Sequence, residues 1–158
     1  MYHVNFRSTL KASKIVELGA GVGLAGLISS KLPGIQTVIL TDYDHGALEL
    51  LRENANSNKA IGDGDVSVEF LQWGKPLPSV LMLSTSSTSH STATSGSLIV
   101  EGVNCHSEAE LLVIGSDLLY SADIVRPLLI SVKDIISCCV GSKFVLVSSF
   151  DPGEVSIL

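Results

Sequence analysis

The sequence has few aromatic residues, little positive charge and no long apolar run. Of its 158 residues, 5% are aromatic and one is tryptophan. No apolar run approaches the roughly 18 residues that a transmembrane helix needs. The basic residues 1–14 lack the apolar core of a secretory signal. These absences argue against a membrane partner, and we expect a cytoplasmic location, with the nucleus as a second compartment.

Positive charge is both scarce and dispersed. The 10 Lys and Arg residues stand against 16 Asp and Glu, so the formal net charge is −6. Because no segment concentrates the basic residues, a nucleic-acid backbone is not an expected partner. A protein or a small molecule is the expected substrate, and we expect the chain to be a monomer.

Cysteine is also scarce, and its spacing excludes two kinds of site. The three cysteines are Cys105, Cys138 and Cys139. They form neither a disulfide framework nor a C-x-x-C metal motif. Cys105 precedes His106, but no further ligand follows at metal-binding spacing. We therefore expect no metal ion.

The sequence does contain enough apolar residues for a packed core. They make up 46% of the chain, which suits one domain over residues 1–158. Apolar runs predict strands at 14–18, 36–42, 66–71, 111–117 and 142–149, and amphipathic stretches predict helices at 22–31, 45–58 and 123–139. The alternation predicts an α/β fold with a Rossmann-like, doubly wound, mostly parallel sheet. Asp44 is the predicted N-cap of the second helix, and Pro127 suits the first turn of the third.

One segment interrupts this alternation. Residues 79–97 are dominated by Ser and Thr and contain few large apolar side chains. Such a tract buries too little surface to offset the entropy of ordering it. We expect a flexible insert between the third and fourth strands.

Residues 14–26, K-I-V-E-L-G-A-G-V-G-L-A-G, predict a strand that runs into a glycine-rich turn and then a helix. Gly21, Gly23 and Gly26 satisfy G-x-G-x-x-G, the dinucleotide fingerprint, and Asp42 at the end of the next strand could bind a ribose. Alone this match is weak, so an NAD(P)-binding Rossmann domain is one hypothesis. No Tyr-x-x-x-Lys set follows the fourth strand to supply its acid–base chemistry.

The residues around the turn are more selective. Glu17-x-Gly19-x-Gly21-x-Gly23 resembles motif I of the class I S-adenosylmethionine-dependent methyltransferases. With L-T-D-Y-D, L-R-E-N-A-N-S-N, L-Q-W-G and G-S-D-L-L-Y, it resembles methyltransferase family 16, seven-β-strand protein-lysine methyltransferases with a D-x-x-Y motif after the fourth strand. The likeness covers residues 15–147. It implies S-adenosyl-L-methionine as cofactor and N-methylation of a protein lysine.

The resemblance also implies roles for particular residues. The cofactor-binding set is Glu17, Gly19, Ala20, Gly21, Gly23, Asp42, Trp73 and Ser116. Within it, the first two glycines and Ala20 would line the methionine part, Asp42 the ribose and Trp73 the adenine, while Ser116 would lie near the transferable methyl. Glu17 would favour the positive charges of the cofactor. For Trp73 the alternative is a core tryptophan.

The catalytic pair implied by the resemblance is Asp117 and Tyr120, which would grip the target amine. For Tyr120 the alternative is a packed aromatic side chain at the start of a helix. Methyltransferases that act on adenine or glutamine amides carry (N/D)-P-P-(Y/F) at this position. Leu118 and Leu119 replace those prolines, which favours a protein side chain.

The chain departs from the family at both ends. The last two of the family's seven strands have no counterpart before Leu158, and the N-terminal tryptophan that covers the cofactor is missing from residues 1–13. We expect a truncated form with the first five strands. A cofactor-binding but catalytically inactive protein is therefore a second hypothesis beside the active methyltransferase.

Overall fold

The computed structural model describes residues 12–58, 64–82 and 110–149 of the chain. These ranges contain five strands: β1 (Ala12–Leu18), β2 (Thr37–Asp42), β3 (Asp65–Phe70), β4 (Glu110–Ser116) and β5 (Lys143–Val147). They also contain three α-helices: α1 (Leu24–Ser29), α2 (His45–Asn58) and α3 (Val125–Ile136). A short 3₁₀ helix, Ala122–Ile124, leads into α3.

The five strands form a single parallel sheet in the order β3-β2-β1-β4-β5. The order reverses at β1, which pairs with β2 on one side and with β4 on the other. In such sheets, ligands bind outside the carboxyl ends of the strands at the point of reversal. The prediction of a Rossmann-like, doubly wound α/β fold is confirmed, and the reversal places a candidate site at the end of β1.

The core has two parts, one on each face of the sheet. Leu111 and Val113 of β4 belong to one cluster, which α3 covers with Leu128, Val132 and Ile135. Leu112 of β4 belongs to the other, which α2 covers with Leu48 and Leu51. Strand β4 is therefore buried on both faces, as its continuous apolar sequence predicts.

Helix α2 has its predicted cap and bounds, whereas α1 and α3 are shorter than predicted. The backbone N–H of Ala47 donates to Asp44 Oδ1 at 2.8 Å, so Asp44 is the N-cap of α2 as predicted. Helix α1 begins two residues later than expected because Gly23 has a left-handed φ of 83°. Helix α3 ends at Ile136, three residues early, and Pro127 lies in its first turn.

The predicted Ser/Thr-rich insert overlaps ordered structure at its beginning. Residues 79–82 form a turn in which Leu81 is fully buried against the core. The insert therefore cannot begin at residue 79, because Leu81 packs with the α3-side cluster. The remainder of the predicted insert lies outside the described residues, as do Cys105 and His106.

Candidate functional site

Three loops meet at the carboxyl edge of the sheet, following β1, β3 and β4. Their meeting point is Gly19, in the turn after β1. A Cβ atom on Gly19 would lie 2.7 Å from Cδ2 of Leu118 and 3.2 Å from Cζ2 of Trp73. Gly19 therefore permits the loops after β3 and β4 to pack directly on the turn, and the structure brings the predicted residues Gly19 and Trp73 together.

Gly21 occupies a different environment in the same turn. Its φ is 54°, and a Cβ atom built there would meet nothing within 4 Å. By contrast, a Cβ atom on Gly23 would collide with Leu51 of α2. Within the described part of the chain, Gly21 thus gives the turn an open backbone surface, whereas Gly23 serves packing. Ala20, between Gly19 and Gly21, is buried, with 9% of its surface exposed.

Hydrogen bonds tie this turn to the end of β2. Ala20 N–H donates to the carbonyl oxygen of Thr41 at 2.8 Å, and the Thr41 hydroxyl donates to the carbonyl oxygen of Glu17 at 2.7 Å. Gly21 N–H donates to Asp42 Oδ2 at 2.9 Å. The open part of the turn is consequently held beside the Asp42 carboxylate.

Three backbone N–H groups orient the Asp42 carboxylate. Besides Gly21 on Oδ2, Tyr43 N–H donates to Oδ1 at 2.7 Å and Asp44 N–H donates to Oδ1 at 3.0 Å. A carboxylate oxygen can accept more than one hydrogen bond. Oδ2, which takes one backbone N–H in the described structure, can therefore accept a further donor such as a ligand hydroxyl.

Glu17 lies behind the turn. Its side chain is 2% exposed, and Oε2 accepts the backbone N–H of Gly26 in α1 at 2.8 Å. Burial raises the pKa of this carboxyl to about 7, and the Gly26 hydrogen bond acts in the opposite direction. The position does not fit the expectation that the Glu17 charge faces a ligand. Glu17 instead anchors α1 beneath the turn.

Trp73 lies between the core and the turn. It is partly buried and packs on the core cluster covered by α3. The following residue, Gly74, donates its N–H to the hydroxyl of Ser131 at 2.9 Å, and Ser131 is fully buried in α3. One part of the indole therefore packs in the core, and its edge faces Gly19, while its role beside an adenine stays a prediction.

The loop after β4 carries the predicted catalytic pair. Ser116, the last residue of β4, and Asp117 are exposed, whereas Leu118 is buried against Gly19. Asp117 has a left-handed φ of 53°. Its Oδ1 accepts two hydrogen bonds from Ser149, from N–H at 2.6 Å and from the hydroxyl at 2.8 Å. The hydrogen bond from the Ser149 backbone N–H lowers the pKa of the Asp117 carboxyl most, and the bond from the hydroxyl lowers it further. Asp117 is therefore ionised at neutral pH.

Tyr120 reaches the end of β2. Tyr120 is 62% exposed, and its side chain is in contact with that of Tyr43. Partial loss of hydration raises the pKa of Tyr120 most, and Tyr43 and the nearby Asp42 carboxylate raise it further. Its hydroxyl therefore stays protonated at neutral pH. Because β1 separates β2 from β4, this contact spans the edge of the sheet at the glycine turn. It places Tyr120 near Asp42.

Three residues that contribute to this arrangement were missed from the sequence. Tyr43 immediately follows Asp42, and this adjacency is a usable signal because side chains beside a strand-end acid share its edge. Ser131 and Ser149 give no such signal, because their contacts are with residues 57 and 32 positions away.

No metal centre or membrane span adds to the site within residues 12–58, 64–82 and 110–149. Over these ranges, no group of three or more His, Cys, Asp and Glu side chains is arranged to hold a metal ion. None of the helices in the same ranges has the length and apolar character to cross a bilayer.

Comparison with known proteins gives three similarities. A family model described as lysine methyltransferase matches residues 3–87, more than half of the chain. Protein N-lysine methyltransferase METTL21A of Xenopus tropicalis is 45% identical over 69 residues, which are 43% of this chain and 31% of that relative. This chain thus covers less than a third of the relative's length. Ribosomal protein L11 methylase of Lactobacillus delbrueckii subsp. bulgaricus aligns at 16% identity with a TM-score of 0.48, over 89% of this chain and 53% of that one.

The matched family region contains part of the site. Residues 3–87 include the glycine turn, Asp42 and Trp73. Asp117 and Tyr120 lie beyond it, in the loop that follows β4.

Proposed function

Because the chain belongs to the lysine methyltransferase family, we propose that it binds S-adenosyl-L-methionine at the carboxyl edge of β1 and β2 and transfers a methyl group to a protein lysine. The observation that carries the proposal is the open backbone at Gly21, held 2.9 Å from Asp42 Oδ2. No side chain obstructs the approach of a ligand to Gly21, and the Asp42 carboxylate beside it is a fixed acceptor for hydroxyl groups.

The described residues suit a nucleoside with an amino-acid tail. Asp42 Oδ2 can accept a ribose hydroxyl, and Trp73 offers the edge of an indole beside Gly19. Gly19, Ala20 and Gly21 would hold the methionine part through backbone groups. Glu17 would act through the turn, since its carboxyl bonds to Gly26. Ser116 would line the side of the site that belongs to β4.

The choice of cofactor also follows from charge. A dinucleotide carries a pyrophosphate, which favours the N-terminus of a helix. Helix α1 has only six residues, and the site beside it contains the Asp42 carboxylate. An ammonium or sulfonium cation is better matched to that carboxylate than a pyrophosphate is.

Asp117 and Tyr120 would act on the lysine. The bound cofactor supplies a methyl group on a positively charged sulfur. A lysine side chain has a pKa near 10.4 and must lose its proton to solvent before its lone pair can attack the methyl carbon. The ionised Asp117 can hold the amine and stabilise the positive charge that develops on its nitrogen. The protonated Tyr120 hydroxyl can orient the same nitrogen.

Calorimetric titration and a transfer assay test the proposal together. We expect S-adenosylhomocysteine to bind and NADH not to bind. Tritiated S-adenosylmethionine should label lysine-containing peptides, but not the same peptides with arginine in place of lysine. Binding of NADH alone would contradict the proposed cofactor. Binding of S-adenosylhomocysteine without labelling would favour the inactive cofactor-binding protein.

Substitution of Asp42 locates the binding event. Asp42→Asn should weaken S-adenosylhomocysteine binding by about tenfold to a hundredfold, because hydrogen bonds to a charged acceptor contribute about 1.5–3 kcal/mol. Asp134→Asn, on the exposed side of α3, is the matched control and should bind like the wild type. Equal affinity in the wild type and Asp42→Asn would place the ligand elsewhere.

A further inference from the structure

The end of β5 contributes a residue to the loop that carries the predicted catalytic pair. Ser149 lies two residues beyond β5, and Asp117 lies one residue beyond β4. The two strands are parallel neighbours, with Ser116 opposite Val147 in the register. Their carboxyl ends therefore meet at the same edge of the sheet, which brings together residues 32 positions apart in sequence.

Three hydrogen bonds join Asp117 to this end of β5. Its backbone N–H donates to the carbonyl oxygen of Val147 at 2.8 Å. Its Oδ1 accepts the backbone N–H of Ser149 at 2.6 Å and the Ser149 hydroxyl at 2.8 Å. Both the main chain and the side chain of Asp117 are thus fixed by β5, although the residue is exposed.

The backbone of Asp117 makes this attachment informative. Asp117 is the one non-glycine residue with positive φ in the described part of the chain. Left-handed backbone is unfavourable for most side chains, though less so for aspartate, and surrounding contacts stabilise it. Here those contacts are the bonds to Val147 and Ser149. They turn the carboxylate back towards β5 and give both donors to Oδ1, so that Oδ2 remains the oxygen for a second partner.

We propose that Ser149 is a positioning residue, which orients the Asp117 carboxylate so that Oδ2 receives the substrate amine. This inference rests on the proposed function, because it assumes that Asp117 holds a lysine. It extends that function to β5. The hydroxyl of Ser149 is the part that can be removed by substitution, while its backbone N–H stays in place.

Two substitutions separate the hydroxyl from the fold. Ser149→Ala removes the hydroxyl donor, and Ser149→Thr retains it. Ser137→Ala is the matched control, since its hydroxyl bonds to the carbonyl oxygen of Lys133 at the end of α3. We expect S-adenosylhomocysteine affinity to be unchanged in all three, because none of these hydroxyl groups lies at the glycine turn. Thermal unfolding should show that all three variants are folded, with a small loss of stability in Ser149→Ala, because its hydrogen bond to Asp117 is exposed.

The first readout is the titration of the Asp117 carboxyl by carbon-13 NMR. The Ser149 hydrogen bonds hold its pKa below the ordinary value of 3.8. In Ser149→Ala the pKa should rise towards that value, and in Ser149→Thr it should stay low. An unchanged pKa in Ser149→Ala would overturn the proposal, because the hydroxyl would then not act on the carboxylate.

The second readout is the initial rate of tritiated methyl transfer to lysine-containing peptides at about pH 8. Asp117 is ionised at that pH in every variant, so a change in rate reports orientation and not charge. We expect Ser149→Ala to lose about tenfold or more at saturating peptide, as misplacement of a reacting group does, and Ser149→Thr to recover most of it. Wild-type rates in Ser149→Ala would overturn the inference.

The two readouts distinguish failure of this inference from failure of the proposed function. If the wild type labels no peptide while the titration still shifts in Ser149→Ala, the proposed function fails and Ser149 only links the loops after β4 and β5. If the wild type labels peptides and Ser149→Ala does so equally well, the proposed function stands and the positioning role fails.

Discussion

Gly21 and Gly34 have left-handed backbone in different surroundings, which makes them a natural pair. Their φ angles are 54° and 93°, and a Cβ atom at either position would meet nothing within 4 Å. Replacement by alanine therefore introduces the same kind of strain, about 1–2 kcal/mol, without a clash. The two positions differ in location, since only Gly21 lies at the carboxyl edge beside Asp42.

We expect Gly21→Ala and Gly34→Ala to lower the melting temperature by similar amounts, whereas only Gly21→Ala should weaken S-adenosylhomocysteine binding. The physical reason is that a methyl group at Gly21 would occupy the open backbone surface to which the ligand is proposed to bind. Differential scanning calorimetry and isothermal titration measure the two effects separately. If Gly21→Ala bound the ligand normally, the approach to the turn would not be part of the site.

The sequence motif predicted which strands carry the acids Glu17 and Asp42, but not what surrounds each carboxyl group. Asp42 lies at the edge of the sheet with an oxygen that can accept a further hydrogen bond. Glu17 belongs to the same motif, yet its carboxyl points to Gly26. Because side chains alternate between the two faces of a strand, the position of an acid in a motif does not determine which group its carboxyl contacts.

At the scale of elements, the loop after β3 depends on α3. The Gly74 N–H donates to the buried hydroxyl of Ser131, and a Cβ atom on Gly74 would lie 3.2 Å from Cβ of Pro127. Helix α3 therefore fixes the residue next to Trp73. Any motion of this loop would move the indole relative to Gly19, and Trp73 is the single tryptophan of the chain.

We expect Ser131→Ala to lower the free energy of unfolding by about 1 kcal/mol, the usual contribution of one hydrogen bond. It should also shift the emission of Trp73 to longer wavelength, because the released loop admits more water to the indole. Denaturant unfolding followed by fluorescence measures both effects. Ser137→Ala, near the end of the same helix, is the control and should leave the emission unchanged.

Intact emission in Ser131→Ala, together with a loss of stability, would show that core packing holds Trp73 without help from the loop. That outcome would favour the structural interpretation of this tryptophan over a role beside a ligand.

The order and type of the elements were predictable because each has a local signal. Helix α2 was predicted with its observed bounds, since Asp44 caps it and Leu48 and Leu51 lie on its buried side. The contacts of Ser131 and Ser149 were not predictable, because serine carries no periodic signal and its partner is set by tertiary packing. The position of Leu81 was missed since a short apolar sequence at the start of a polar tract gives little sign of burial.

At the scale of the whole molecule, the fold buries the ionisable carboxyl group of Glu17 in the centre of the sheet. Glu17 lies in β1, the central strand of the sheet, and is 2% exposed. Its burial is retained because the carboxyl accepts the N–H of Gly26, where a Cβ atom would lie 2.5 Å from Glu17 Oε2. The same carboxyl thus connects α1 to the sheet and makes the stability of the protein depend on pH.

The direction of this dependence follows from the pKa of Glu17, which rises from 4.5 in the unfolded chain to about 7 in the folded protein. Between these values the folded state holds a proton that the unfolded state has lost, so the contribution of Glu17 to stability falls as pH rises from about 4.5 through about 7 and is constant above.

Glu17→Gln keeps an oxygen acceptor for Gly26 without the charge. We therefore expect it to be more stable than the wild type above pH 7, by up to about 3 kcal/mol, with the difference vanishing towards pH 4.5. Chemical denaturation at a series of pH values measures the difference, and Glu53→Gln on the exposed side of α2 is the control. A difference independent of pH would mean that Glu17 titrates normally in the folded protein.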